Sequence, residues 1–154
     1  MKAHRLEVFA DYFQFYLQDE ASEGSLSNAW DEVATHRMLA VSAGVVGIGT
    51  ARNMNVPVTL EMLDSEPLCD PSSFDHVVEG SLVMKTGPLV VAGCTDYFPD
   101  APRFDLRPGT FRVRLSVSGL GSLSPDGLEG EDHYLVQIWP GSPIEPVVFK
   151  QCEI

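Results

Sequence analysis

Histidine and cysteine are the residue types that most often bind metals or attack substrates, and this sequence has four histidines and three cysteines. They are His4, His36, His76, His133, Cys69, Cys94 and Cys152. No HxH, HxxxH, HExxH or CxxC motif occurs, so the local ligand spacing of a zinc site is absent. Cys94 with His76 or His133 as a base is a conceivable nucleophile, but an unpaired cysteine is more often a small buried apolar residue. We therefore expect free thiols, a buried Cys94, and neither a metal nor a cofactor.

The glycine-rich stretch Gly44–Gly49 has the glycine density of a phosphate-binding loop. Its order is GxxGxG, which differs from the dinucleotide fingerprint and lacks the Lys-Ser/Thr ending of a nucleotide-binding loop. Glycines inside a strand also occur where a neighbouring group approaches the backbone closely. This stretch is therefore interpreted as a closely packed strand.

Two acids stand beside two aromatic residues in the stretch Thr95–Asp100. One interpretation is structural: Tyr97 and Phe98 cover the end of the core while Asp96 and Asp100 cap turns. The other interpretation is a contact patch formed by these same four residues.

Acidic residues are the strongest feature of the sequence. Its 154 residues include 10 Lys+Arg and 22 Asp+Glu, which gives a net charge of −12 at pH 7. The stretches Glu7–Glu32, Glu61–Glu79 and Asp126–Glu145 contain no Lys or Arg. Such a surface repels phosphate and anionic lipid, which disfavours direct nucleic-acid or membrane binding and favours a basic partner. A merely solvated acidic surface is the alternative.

The elements that must position these residues are mostly strands. Two segments show the two-residue alternation of a half-buried strand. The apolar residues of the alternation are Val58, Leu60 and Met62 in one segment, and Phe111, Val113, Leu115 and Val117 in the other. The predicted strands are Leu6–Ala10, Tyr12–Leu17, Val45–Thr50, Val56–Leu63, Phe74–Met84, Pro88–Cys94, Phe111–Val117, Tyr134–Trp139 and Val147–Gln151. One short helix is expected near Trp30 to Met38, with Asn28 as its cap.

This pattern predicts an all-β fold: a single-domain β-sandwich over residues 1–154, with about eight to ten strands and one short helix. A small closed barrel is the alternative that the same spacing allows. The predicted core is Phe13, Phe15, Val58, Leu60, Val90, Phe111, Val113, Leu115, Leu135 and Ile138. The longest uncharged stretch, Met38–Ala51, is too short to span a bilayer, and no signal-peptide pattern opens the chain. A reduced, cytoplasmic protein is expected.

Three segments carry a resemblance to a known family. Trp30-Asp31-Glu32, Ala51-Arg52-Asn53 and the run Phe104–Phe111 resemble, in the same order, the competence protein J family of inhibitors of a bacterial DNA-entry nuclease. The segment Asp132–Pro140 is similar to small bacterial immunity proteins. The resemblance implies a non-enzymatic protein that inhibits a nuclease or toxin.

Together, acidity and resemblance lead to one functional expectation and one alternative. The expectation is an inhibitor that blocks the nucleic-acid groove of a basic nuclease or toxin, with an apolar anchor from Tyr97, Phe98 or Trp139. The expected contact residues are Asp126, Glu129, Glu131, Asp132, Asp96, Tyr97, Phe98 and Asp100. The alternative is a β-sandwich that binds a small ligand or carbohydrate, or a hydrolase, using the region of Tyr97 and Asp100 or Trp139.

Overall fold

Strands make up most of the regular secondary structure, as the alternating patterns predict. The computed structural model describes residues 2–22 and 24–152, which form eleven strands and one short helix. The strands are β1 (Lys2–Phe9), β2 (Gln14–Asp19), β3 (Leu39–Ser42), β4 (Val45–Gly49), β5 (Asn55–Met62), β6 (His76–Met84), β7 (Leu89–Gly93), β8 (Arg103–Phe104), β9 (Gly109–Ser118), β10 (His133–Pro140) and β11 (Val147–Lys150). The helix is α1 (Glu32–Arg37), and single 3₁₀ turns lie at Asp11–Phe13, Pro71–Ser73 and Phe98–Asp100.

Two sheets form the layers of a sandwich. The six-stranded sheet has the order β1-β5-β10-β9-β6-β11, and the five-stranded sheet has the order β3-β4-β2-β7-β8. Neighbouring strands are antiparallel except for β5 and β10, which run parallel with Tyr134 opposite Val58. Within the described residues the two sheets do not close into one barrel, so the sandwich prediction is confirmed and the barrel alternative is not.

The core lies between the inner faces of the two sheets. Phe15 and Leu17 of β2 belong to the same continuous apolar cluster as Val113 and Leu115 of β9. Seven of the ten predicted core residues belong to this cluster: Phe15, Val58, Leu60, Phe111, Val113, Leu115 and Ile138. Val90 is also buried, but in a smaller cluster on the outer face of the five-stranded sheet with Ala92 and Ala101. Burial alternates along β2, β5 and β10, which gives their sequences a period of two, whereas β4 and β7 are buried on both faces.

Phe13 and Leu135 were wrongly predicted to lie in the core. Phe13 belongs to the 3₁₀ turn before β2 and is 53% exposed, because the chain reverses direction there before the strand alternation begins. Leu135 is half-buried on the outer face of β10. Since successive side chains of a strand point to opposite faces, Leu135 and Ile138 cannot share one face, and the residues on either side of Leu135, Tyr134 and Val136, are the buried ones.

The helix begins after Asp31 and not after Asn28. Asp31 Oδ1 accepts a hydrogen bond of 2.8 Å from Ala34 N–H, so Asp31 is the N-cap. Ahead of the helix, Trp30 packs on the outer face of β4: a Cβ atom at Gly47 would lie 2.7 Å from the Trp30 ring. The glycine-rich stretch is therefore a closely packed strand, as predicted.

A buried carboxylate organises the turn between β6 and β7. The oxygens of Asp19 accept hydrogen bonds from the N–H groups of Lys85, Thr86 and Gly87 at 2.7–3.1 Å, and from Thr86 Oγ1 at 2.8 Å. Burial by itself would raise the pKa of Asp19, but these hydrogen bonds outweigh it and the pKa is lowered. Asp19 therefore stabilises this turn as an ionised acceptor.

Candidate functional site

The chain connections that carry most of the predicted contact residues meet at one end of the sandwich. Phe9 at the end of β1 pairs with Asn55, Phe15 near the start of β2 pairs with Gly93, and Ser118 at the end of β9 pairs with His133. We call this end, comprising residues 10–13, 50–54, 94–96 and 119–132, the loop end. It gathers segments that are more than a hundred residues apart in the sequence.

Two aromatic residues project from the loop end on a strained backbone. Tyr12 and Phe13 both have φ of 60°, and Tyr12 is 68% exposed. Left-handed backbone costs a non-glycine residue about 1–2 kcal/mol. Tyr12 N–H donates to Asn53 Oδ1 at 2.9 Å. Phe13 N–H donates to Ala10 O at 3.1 Å, and Phe13 O accepts from Thr50 N–H at 2.9 Å. The two rings are therefore presented on a fixed backbone.

These rings form one wall of a cleft of about 430 Å³ between the turn and α1. We call it the aromatic cleft; its lining residues are Tyr12, Phe13, Gln14, Trp30, Thr35, Met38, Gly49 and Thr50. Met38 ends α1 in a left-handed conformation with φ of 63°. Among the described residues, Tyr12, Phe13 and Met38 are the non-glycine residues with positive φ, and all three line this cleft. Residues held in such conformations cluster at binding sites and active sites.

An ion pair joins the connection between β4 and β5, which is hydrogen-bonded to Tyr12, to the long loop between β9 and β10. Arg52 Nε lies 2.6 Å from Asp132 Oδ1, and Asp132 is fully buried. Tyr134 donates its hydroxyl hydrogen to Asp132 Oδ2 at 2.7 Å and accepts from Ala51 N–H at 2.8 Å. Burial, followed by the hydrogen bond to Asp132, raises the pKa of Tyr134, which stays protonated. The structure corrects the prediction that Asp132 binds a partner, because this carboxylate is buried and both of its oxygens accept hydrogen bonds from Arg52 and Tyr134.

The tip of the long loop is exposed and well supported by its own hydrogen bonds. Ser124 N–H donates to Glu129 O at 2.8 Å, and Glu131 N–H donates to Ser122 Oγ at 2.7 Å. Hydrogen bonds from the Ser124 hydroxyl, and then from Leu128 N–H, lower the pKa of Asp126. Asp126, Glu129 and Glu131 are exposed, so these three predicted contact residues remain available on the surface.

The second predicted segment is divided between two places. Asp96 lies at the loop end, where its Oδ2 accepts a hydrogen bond of 2.8 Å from Gly93 N–H. The chain then turns back over the outer face of the five-stranded sheet, where Phe98 packs against Val90 and Ala92. Tyr97 remains exposed, and so does Asp100. The structure thus brings Asp96 near the turn at residues 11–13 but directs Phe98 into a small apolar cluster.

Trp139 is not available as a binding residue. It is buried, with the guanidinium carbon of Arg114 5.0 Å from its ring centroid. Arg114 Nε lies 2.8 Å from Glu79 Oε2, and this pair is also buried. The expectation that Trp139 anchors a partner or ligand is therefore wrong, because the residue lies on the outer face of the six-stranded sheet and is buried there beside Arg114.

The nucleophile considered from the sequence is not activated. Cys94 is exposed, which corrects its predicted burial, yet desolvation and then the charges of Asp11 and Asp96 raise its pKa. His76 is buried, its Nε2 is 2.7 Å from Arg37 O, and burial lowers its pKa. Among the described residues, no group of three or more His, Cys, Asp and Glu residues is arranged to hold a metal ion.

The fold and the loop end define a class: two-layer antiparallel β-sandwiches with one parallel strand pair in the larger sheet and a loop-rich end. Two solved structures share the fold. ComJ, inhibitor of the DNA-degrading activity of NucA from Bacillus subtilis, matches with a TM-score of 0.66 and 16% identity over 92% of this chain and 96% of its own. The protein described as crocagin biosynthetic gene J matches with a TM-score of 0.60 and 14% identity over 92% of this chain and 98% of its own.

The resemblance to the nuclease-inhibitor family is thus confirmed as a likeness of fold. No family model and no curated protein matches the sequence. Within the described residues, no helix has the length and apolar composition needed to cross a membrane.

The aromatic turn is the part of the site that sequence reasoning missed. Tyr12 and Phe13 were assigned to a strand because aromatic residues favour strands. The stretch Ala10-Asp11 between two apolar runs was a weak turn signal, since aspartate favours turns. Nothing in the sequence indicated a left-handed backbone at two consecutive aromatic residues.

Proposed function

We propose that this protein is a non-enzymatic inhibitor that binds a DNA-degrading nuclease and blocks its nucleic-acid groove. The observation that carries the proposal is the fold shared with an inhibitor of DNA-degrading activity over 92% of the chain. Folds host many functions, so the proposal also needs support from the surface of this chain.

The charge of the loop end supports a basic partner. Arg52 is the only Lys or Arg in the segments that form this end, and it is paired with Asp132. The remaining carboxylates of these segments belong to Asp11, Asp96, Asp126, Glu129 and Glu131. A nuclease groove must be positively charged to hold phosphate, so the same field attracts an acidic surface and allows it to exclude DNA.

The rigidity of the loop end supports binding without large rearrangement. The turn at residues 11–13 is hydrogen-bonded to the β4–β5 connection, and Arg52 of that connection donates to Leu128 O at 3.2 Å in the long loop. The aromatic turn and the acidic long loop are therefore connected by hydrogen bonds through the β4–β5 connection. A surface ordered before binding loses less conformational entropy when the partner docks.

Inhibition of NucA is the direct test, because NucA is the nuclease that the structurally similar ComJ inhibits. DNA degradation is measured with increasing amounts of the purified protein at low salt and at about 0.5 M salt, where the Debye length falls to a few ångströms. We expect stoichiometric inhibition that weakens at high salt. The nuclease activity of an extract from the protein's own cells is measured in parallel. If neither activity is inhibited, or if the protein itself turns over a substrate, the proposal fails.

A small-ligand-binding role is the second candidate. A cleft of about 520 Å³ on the outer face of the five-stranded sheet is lined by uncharged residues, among them Gln14, Tyr16, Gln18 and Trp30. Rings with amide groups suit a neutral polar ligand such as a sugar. Calorimetric titration with mono- and disaccharides tests this role, and saturable heat that a Tyr16→Ala variant lacks would favour it over the inhibitor.

A further inference from the structure

The aromatic cleft has features that the fold does not require. Tyr12 and Phe13 are held at positive φ beside it, although a glycine at each position would relieve the strain. The positive φ of Met38 is part of the fold, because this residue ends α1 and its N–H donates to helix carbonyls. Trp30 Nε1 is buried and has no hydrogen-bond partner among the described residues, so Trp30 is held by packing over Gly47. Backbone strain and an unpaired donor at one location indicate a surface shaped for a ligand.

The lining of the cleft favours a cation with an apolar stem. Three aromatic rings and the Met38 thioether offer apolar walls and π faces, and no Lys or Arg is among the lining residues. The carboxylate residues Asp11 and Asp31 adjoin Tyr12 and Trp30 in the sequence. An arginine or lysine side chain matches this set, since its stem packs on apolar surface and its charge is attracted by ring faces and carboxylates. Because these side chains have no acceptor, the Trp30 N–H would be met by a backbone carbonyl of the segment that carries the side chain.

We propose that the aromatic cleft receives an arginine or lysine side chain from the basic partner and is the anchor of the inhibitory interface. This inference rests on the proposed function and names the contact that gives it affinity. An anionic occupant is disfavoured by the net charge of −12. A purely apolar occupant would leave the negative charges of Asp11 and Asp31 uncompensated, since these carboxylates accept hydrogen bonds from the backbone N–H groups of Tyr12 and Ala34 but have no cation beside them in any ion pair of the described residues.

The test removes both rings without harming the fold. In the double variant Tyr12→Gly and Phe13→Gly, glycine adopts positive φ freely, so the thermal midpoint should stay equal or rise. Inhibition of NucA should weaken by about 30-fold or more, as at an interface hot spot. The matched control is Leu68→Ala, because Leu68 is 98% exposed on a different part of the surface and its backbone contact to Arg114 is retained.

The chemistry of the occupant is tested with two short peptides. Gly-Arg-Gly and Gly-citrulline-Gly have nearly the same shape, but only the first is charged. Because Trp139 is buried, a change in tryptophan emission reports Trp30. We expect the arginine peptide, added up to about 10 mM, to change the emission, since single anchors bind near the millimolar range. The citrulline peptide, and the double glycine variant with either peptide, should show no change.

Each outcome decides a different claim. Inhibition that survives the double glycine variant overturns the cleft as the anchor and leaves the inhibitor function standing. Equal responses to the two peptides, or no response to either, overturn the cationic occupant. If the unmodified protein inhibits neither NucA nor the extract nuclease, the proposed function fails, while the peptide titration still decides whether the cleft binds arginine.

Discussion

The base and the tip of the long loop between β9 and β10 are both acidic, yet they have opposite roles. At the base, Asp132 is fully buried between Arg52 and Tyr134, and its two oxygens accept hydrogen bonds of 2.6 and 2.7 Å. At the tip, Asp126 and Glu129 are exposed and lie on a turn supported by hydrogen bonds within the loop, including two that Asp126 Oδ1 accepts from Ser124 and Leu128. Carboxylates a few residues apart therefore divide into structural and surface groups.

The difference teaches that the local density of acids does not tell which of them a partner can reach. A carboxylate leaves water only where a cation or several donors replace its hydration, and both kinds of replacement come from distant parts of the chain. Asp132 meets Arg52, which is 80 residues away in the sequence.

Asp132→Ala should destabilise the protein by about 3–5 kcal/mol, because it leaves the buried Arg52 guanidinium without its counter-charge. Urea unfolding monitored by circular dichroism measures this loss. The double variant Arg52→Ala and Asp132→Ala is the control, and it should cost less than the sum of the two single variants. Additive losses would show that the pair is not coupled.

Asp19→Asn should cost about 2–3 kcal/mol at neutral pH, since hydrogen bonds to a charged buried group are lost. The lowered pKa of Asp19 means that its stabilisation is present above the unfolded value of about 3.9 and is lost as pH falls through the folded pKa. The stability of the unmodified protein should thus decline more steeply below about pH 4 than that of the variant. Asp105→Asn, at an exposed position, is the matched control. Parallel pH profiles for Asp19→Asn and the unmodified protein would contradict the expectation.

Tyr134→Phe should cost about 1–3 kcal/mol, because the Asp132 carboxylate loses a donor and Ala51 N–H loses its acceptor. The ring remains in the core, so no large cavity is formed. Thermal unfolding measures the loss. In the background of the double variant Arg52→Ala and Asp132→Ala the same substitution should cost less, and an unchanged cost there would place the effect outside this network.

Removing the negative charges at the tip of the long loop should leave the stability of the protein almost unchanged. In the triple variant Asp126→Asn, Glu129→Gln and Glu131→Gln, the thermal midpoint should be nearly that of the unmodified protein, because exposed charges contribute little to stability. Association with the nuclease, followed by stopped-flow at low salt, should slow because steering by charge weakens. An unchanged association rate would show that the tip is only a solvated surface.

Much of the fold follows from short-range patterns. Alternation in β9, from Phe111 to Val117, predicts a strand whose face is then confirmed by buried Val113 and Leu115. Alternation cannot choose between the two faces of a strand without the opposing sheet, which is why Leu135 was placed on the wrong side. Short elements such as β3 have too few residues to show a pattern.

The candidate site was harder to predict, because its parts come together through long-range contacts. The acids at the loop tip were singled out from the sequence, and Asp126, Glu129 and Glu131 are exposed as a contact surface requires. The aromatic cleft was not predicted from the sequence. It forms only where the turn at Tyr12, Met38 at the end of α1, and Gly49 of β4, which has no side chain, come together. Each of these is ordinary by itself, and only their juxtaposition forms a pocket.

The all-β class, most of the core and the acidic character follow from the sequence, because they depend on composition and on the two-residue period of a strand, and the family resemblance follows from three short segments. The burial of Asp132, the position of Trp139 and the strained turn at Tyr12 and Phe13 follow from the tertiary structure. The physical reason is that burial of a charge, and tolerance of a strained backbone, depend on compensating contacts from residues remote in the chain.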